Sequence, residues 1–264
     1  MSRYFCRTFF FAVLAVLGLI NTATANLIAN GNFETLGSGG ADVFANWAEG
    51  GSGALAESVV VIGGDSSAEI VRGSNSYLQQ APAVNLADFW FEMDFAVFPR
   101  TSNRTLNVLL YYGPSQYSEM INLRVGENNR LQAYNGSSFQ PIGALTAGTT
   151  DDSGSDLSWT DETPVTNHLK LVGHFGDSTP SYDITLANGQ TTDTVTGITY
   201  FQGAAPGGSA TAVNLIRLQT SSSDSNWLAD NVVFIVPEPG ISAMLGALLP
   251  GLLLAGRCRR KRRA

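Results

Sequence analysis

From Asn26 to Val236 the chain reads as short runs of β-branched and aromatic residues, most of them closed by Gly, Asn, Asp or Ser. The runs are ESVVVIG, SAEIVRG, FWFEMDFAVF, TLNVLLYYG, EMINLRVG, RLQAYNG, NHLKLVGHFG, SYDITLANG, AVNLIRLQT and NWLADNVVFIV. Within EMINLRVG, Met120, Asn122 and Arg124 alternate with Ile121, Leu123 and Val125, which predicts a strand with one wet and one dry face. Within WFEMDFAV the same parity puts Phe91, Met93 and Phe95 on a dry face and Glu92 and Asp94 on a wet one. No long segment of the body keeps a 3.6-residue apolar period, so helix is expected to be scarce. Ten such strands in about 210 residues predict one all-β domain, a two-sheet antiparallel jelly-roll β-sandwich. The Gly-, Ser-, Thr- and Asp-rich stretch Gly143–Asn167 is expected to be a long surface loop.

The two ends follow other rules. Arg3 and Arg7 precede an apolar run from Phe9 to Ile20, and Ala23-Thr24-Ala25 supplies small residues for cleavage. Residues 1–25 therefore read as a secretory signal peptide with a signal helix, and Asn26 as the mature start. At the other end, Ile241–Ala255 is uncharged and 15 residues long. As a helix it spans about 23 Å, short of a hydrocarbon core of about 30 Å, and Pro250 weakens it further. It is expected to be a short transmembrane helix, oriented by Arg257, Arg259, Arg260, Lys261, Arg262 and Arg263 at the cytoplasmic face.

Charge and cysteine narrow the function. Residues 26–236 hold seven Lys and Arg against 21 Asp and Glu, a net charge near −14. That surface repels phosphate backbones and argues against nucleic-acid binding. Cys6 and Cys258 both lie outside the body, so no disulfide is expected there and stability must come from the core or from a metal.

Candidate chemistry is sparse. Glu92 and Asp94 share a strand face, but Ala96 and Val97 stand where a further acid would be needed. Retaining glycosidases need two carboxyl groups roughly 5 Å apart. In laminarinase-type hydrolases, which this strand resembles, a second glutamate supplies the partner, so its absence predicts a non-catalytic protein. His168 and His174 lie six apart on one strand with no motif around them. The acidic DDSGSD of Asp151–Asp156 lacks the spacing of a calcium loop. Aromatic rings are candidates to stack on sugars: Tyr111, Tyr112, Tyr117, Tyr134 and Trp159, with Tyr112, Tyr134 and Trp159 foremost. Trp159 stands out because it sits in a polar loop, and the competing role for every one of these rings is to fill the core.

Three resemblances add expectations. NLIANGNFE (Asn26 to Glu34) and NWLADNVVF (Asn226 to Phe234) resemble the opening and closing strands of exported carbohydrate-binding β-sandwiches. RLQAYNGSSFQPIG with NHLKLVGHFG and SYDITLANGQ is similar to concanavalin-like or laminin-G-like jelly rolls. In the resembled modules a structural Ca²⁺ is held near the end strands, which nominates Glu34 and Asp230 as carboxylate ligands; the alternative is a surface acid and a turn cap. The ordered tail, VPEPG then a short apolar span then an arginine-rich end, is identified as a PEP-CTERM sorting signal over residues 237–264. That resemblance implies recognition by an exosortase-type membrane protease, with cleavage near Pro237, Glu238 and Pro239. It also implies transient inner-membrane attachment, a final place at the cell surface or outside, and association with exopolysaccharide or biofilm. Glycan binding, a purely structural surface role and, last, a polysaccharide hydrolase or lyase are the functions left open.

Overall fold

A computed structural model describes residues 26–37, 43–51, 55–57, 62, 66–71, 76–82, 84–85, 88–98, 106–112, 119–151, 158–159, 162–175, 179–201, 212–220 and 226–236. The signal peptide, Tyr117, Asp152–Asp156, the Pro237-Glu238-Pro239 motif, the span 241–255 and the basic cluster from Arg257 to Arg263 lie outside the described residues. Among the described residues no helix is long and apolar enough to cross a membrane.

The strands are β1 (Ala48–Gly50), β2 (Leu55–Glu57), β3 (Ala68–Ile70), β4 (Tyr77–Gln80), β5 (Val84–Asn85), β6 (Phe89–Val97), β7 (Leu106–Tyr111), β8 (Glu119–Val125), β9 (Arg130–Tyr134), β10 (Phe139–Thr146), β11 (Asn167–His174), β12 (Ser181–Ala187), β13 (Thr192–Thr199), β14 (Ala212–Val213), β15 (Leu215–Thr220) and β16 (Trp227–Ile235). A first sheet has the order β1-β4-β15-β7-β8-β9-β10 and a second the order β13-β12-β11-β6-β16-β3-β2, while β5 and β14 form a separate pair. All the pairings between strands are antiparallel. The chain crosses repeatedly from one sheet to the other, so both wrap a common core. The expected two-sheet antiparallel β-sandwich is what forms, and one 3₁₀ turn, Glu127–Asn129, is the helix among the described residues.

Alternation explains the layers. In β11 every second residue, Asn167, Leu169, Leu171 and Gly173, is buried, while His168, Lys170, Val172 and His174 are half-exposed. In β6, Phe89, Phe91, Met93 and Phe95 point into the sandwich, with Trp90, Glu92 and Asp94 on the outer face. Facing rows from both sheets, including Val108, Leu110, Ile121, Leu123, Ile216 and Leu218, complete one core.

Two expectations change. Met120 is buried, not wet, because Leu110 pairs with Ile121 while Tyr111 pairs with Glu119; Met120 is the extra residue of a bulge. The loop expected from Gly143 begins later, since β10 continues to Thr146. Beyond it the chain is tied down. Thr150 donates its N–H to the Val97 carbonyl at 3.0 Å. The buried Asn167 side chain accepts from Gly148 N–H at 2.7 Å and donates to the Gly148 carbonyl at 2.9 Å.

Candidate functional site

The opening segment lies beside the closing strand. Leu27 N–H donates to the Phe234 carbonyl at 2.8 Å, Val232 N–H to the Gly31 carbonyl at 2.8 Å, and Phe234 N–H to Asn26 Oδ1 at 3.0 Å. Only glycine fits at residue 31, because a Cβ there would stand 1.9 Å from the Val232 carbonyl oxygen. At this junction β16 bulges. Asp230 pairs with Asp94 and Val233 with Glu92, so β16 spends one more residue than β6 between these pairs. Asn231 takes the left-handed conformation, φ 50°, that a bulge asks of Asn or Gly.

The bulge organises a polar cluster. Asn231 N–H donates to Asp230 Oδ1 at 2.7 Å, and Asn231 Nδ2 donates to Asp94 Oδ2 at 2.9 Å. Asp94 Oδ1 lies 2.8 Å from His168 Nδ1, which selects the Nδ1–H tautomer as donor. Asp230 is fully buried, and its Oδ2 has no hydrogen-bond partner among the described residues. Burial pushes the Asp230 carboxyl up to about 7; the Asn231 N–H opposes the rise, while Asp94 and then Glu34 add to it. Glu34 Oε1 accepts from Ser66 N–H at 2.9 Å. Glu34 and Asp230, nominated from opposite ends of the chain, are thus close enough to feel each other's charge. Among the described residues no three His, Cys, Asp or Glu side chains converge to hold a metal by themselves. An orphaned buried carboxylate oxygen facing further acids is nevertheless donor chemistry that suits a hard cation, with carbonyl or water oxygens completing the shell.

The aromatic candidates part company. Trp159 is buried, stacked on Phe98 with centroids 4.0 Å apart, in a satellite cluster with Ile62, Ala96 and Leu228. Its ring is unavailable to a ligand, because it packs on the outward-facing Ala96 and Leu228 of the second sheet. Tyr111 is buried and Tyr112 packs against the main core. Tyr134 is half-buried at the rim of a cleft of about 250 Å³ between the edge strands β10 and β13. Asn135, Gln140 and Thr199 bring polar groups to that cleft, and Ile142, Val195 and Ile198 bring apolar ones. Phe201 meets Tyr134 edge-on at 5.0 Å and Phe139 lies 5.2 Å away, holding the ring in place.

The carboxylates of β6 are engaged. Lys170 Nζ lies 2.6 Å from Glu92 Oε1, and both oxygens of Asp94 are taken by His168 and Asn231. Ala96 and Val97 are buried apolar residues. His174 Nε2 lies 3.0 Å from Asp183 Oδ2, so each histidine has its own acid. One exposed ring escaped the sequence reading. Trp90 is 37% exposed on the outer face of β6, and its signal was the parity of Glu92 and Asp94 continued one step back along the strand.

No protein-family model matches the chain, and no curated protein matches it. Solved structures with a similar fold include the cellulose induced protein Cip1, 12% identical over 72% of this chain and 90% of that one, at a TM-score of 0.46. Lectin II from Ulex europaeus is 9% identical over 73% of this chain and 94% of that one, at 0.43. A β-glucanase catalytic domain from Podospora anserina is 12% identical over 64% and 71%, at 0.36. The likeness is one of fold, which the strand pairing establishes by itself; what each of these proteins binds or cleaves belongs to that protein.

Proposed function

We propose that this is an exported, non-catalytic β-sandwich that binds glycan at the cell surface or in the extracellular matrix. The observation that carries the reading is the cleft of about 250 Å³ between β10 and β13, lined by Tyr134, by apolar Ile142, Val195 and Ile198 and by polar Asn135, Gln140 and Thr199. A concave, mostly apolar cleft with an aromatic residue and a few polar groups on its walls is the chemistry that a sugar's C–H faces and hydroxyls require. The engagement of Glu92 and Asp94 by Lys170, His168 and Asn231 favours binding over hydrolysis. The signal peptide and the PEP-CTERM-like tail complete the reading: exosortase-type cleavage near Pro237-Glu238-Pro239 after transient inner-membrane attachment, then association with exopolysaccharide. We further propose a structural Ca²⁺ held by Glu34 and Asp230, which would tie the opening segment to β16.

A glycan array on the purified protein, with and without calcium, tests the binding. Specific retention weakened about tenfold or more by Tyr134→Ala is the expected outcome. A protein that retains no glycan returns the chain to a purely structural role. Mass spectrometry of the surface and secreted fractions tests processing, which predicts a mature chain lacking residues beyond the Pro-Glu-Pro motif; an intact chain through Ala264 would refute it.

A further inference from the structure

The chain has four tryptophans, and three of them, Trp47, Trp159 and Trp227, are buried to 1% exposure or less. Trp90 is the exception, and its neighbours are arranged in rows by the strand register. Val172 of β11 and Ile235 of β16 stand directly opposite Trp90, one on each side, and both are half-exposed. The next row is Lys170, Glu92 and Val233, and the row after it starts with His168 and Asp94. An apolar strip therefore runs across three strands next to an ionic one. Lys170 Nζ sits 5.3 Å from the Trp90 ring centroid and also holds Glu92, while Glu92 Oε2 lies 4.0 Å from His168 Nε2.

We infer that this strip is a second glycan contact, distinct from the cleft, which takes a neutral pyranose chain laid across β11, β6 and β16 with one ring stacked on Trp90. The inference rests on the glycan-binding reading of the protein. Size and charge pick the occupant. Three neighbouring strands span about 10 Å, the scale of a short oligosaccharide. A stable protein interface asks for about 800 Å² from each partner, and one Trp with two half-exposed aliphatic neighbours falls short of that. A sugar ring needs an apolar plate, an acceptor and a donor side by side; Trp90, the Glu92 carboxylate and the Lys170 ammonium supply them within one row of each other. Glu92, Asp94 and Asp183 outnumber the single lysine on this face, and the body carries about −14, so uronic-acid chains are repelled and neutral ones are not.

Trp90 also makes the test clean, because it is the one tryptophan a collisional quencher can reach. Full-length protein is titrated with laminarihexaose and cellohexaose, and with tetragalacturonate as the anionic probe, while acrylamide quenching of tryptophan fluorescence is followed. The expected result is protection of Trp90 by a neutral hexaose in wild type and in Tyr134→Ala. Trp90→Ala, which removes the reporting ring and is therefore followed by titration calorimetry alongside wild type and Tyr134→Ala, should weaken that binding about tenfold. Neutral binding unchanged in Trp90→Ala but lost in Tyr134→Ala would overturn the strip and leave the cleft standing. Binding lost in Trp90→Ala and kept in Tyr134→Ala would establish the strip and remove the cleft. No binding of either hexaose overturns both, and tighter binding of tetragalacturonate overturns the choice of a neutral chain.

Discussion

The outer face of the second sheet has two ends that differ sharply although the same strands build both. At one end Ala96 of β6 and Leu228 of β16 are covered by Ile62, Phe98 and Trp159, and everything there is dry. At the other end Val172, Trp90 and Ile235 stand in the same outward positions with part of each side chain in water. Between the two ends lies the row His168, Asp94 and Asp230, fully buried at Asp230 and half-exposed at His168. Residue type does not decide which tryptophan is exposed. What decides is whether that end of the sheet is covered, as Trp159 with Phe98 and Ile62 covers Ala96 and Leu228, or left open, as around Trp90. At the covered end the described residues beyond β10 are pinned by Thr150 to Val97 and by Asn167 to Gly148, and Trp159 packs on Ala96 and Leu228.

The sharpest way to break this contrast is to truncate each tryptophan. Trp159→Ala removes the largest side chain of the satellite cluster and should cost about 3–5 kcal/mol in urea unfolding. Trp90→Ala, at the open end, should stay within about 0.5 kcal/mol of wild type. Equal losses would mean that the two ends are packed alike. Next in size is Asn167→Ala, which strands a half-buried N–H and carbonyl at Gly148 and should cost about 1–3 kcal/mol. Hydrogen exchange should show the loss confined to the pinned residues beyond β10 and to β11; an effect spread evenly over both sheets would deny Asn167 its role as a local staple.

Much of the sandwich was legible from alternation alone, because each half-buried strand displays its inward face as every second residue. Nine of the ten runs read as strands contain one; of ESVVVIG, Glu57 closes β2, Ile62 lies outside any strand, and the other residues lie outside the described ones. The two longest strands that alternation missed, β10 and β13, are edges. TDTVTGIT of β13 is exposed at almost every position, an edge strand with little inward face to read. FQPIGALT of β10 holds Pro141, tolerated because β10 is also an edge. Trp159 was misread because polar neighbours in sequence say nothing of what lies beneath in space. Glu34 and Asp230 were nominated because the two ends of such a body tend to be neighbours, and the backbone bonds of Leu27 and Gly31 with β16 make the opening segment and the closing strand neighbours. The part that could not be read is the bulge at Asp230–Val233, which comes from register between β6 and β16 and leaves no mark in either strand alone.

The most discriminating test lies on the boundary row. Asp230 has an ordinary carboxyl value of 3.8 when unfolded and about 7 when folded. Between those values the native state keeps a proton that the unfolded chain has released, so this group makes stability fall as pH rises from about 4 to about 7 and adds no further slope above that. Asp230→Asn has nothing to ionise, and its Oδ1 still accepts from Asn231 N–H. Urea titrations across this range should therefore show a steeper decline in wild type than in the variant, with the gap widest at about pH 8. Calcium separates the two roles of this acid. A cation on Glu34 and Asp230 favours the ionised form, so added calcium should raise the wild-type midpoint at about pH 8, do little at about pH 5, and leave Asp230→Asn unmoved. Equal pH slopes in both proteins would show that Asp230 is not a strained buried acid. A calcium gain of the same size in both would place the cation elsewhere in the chain.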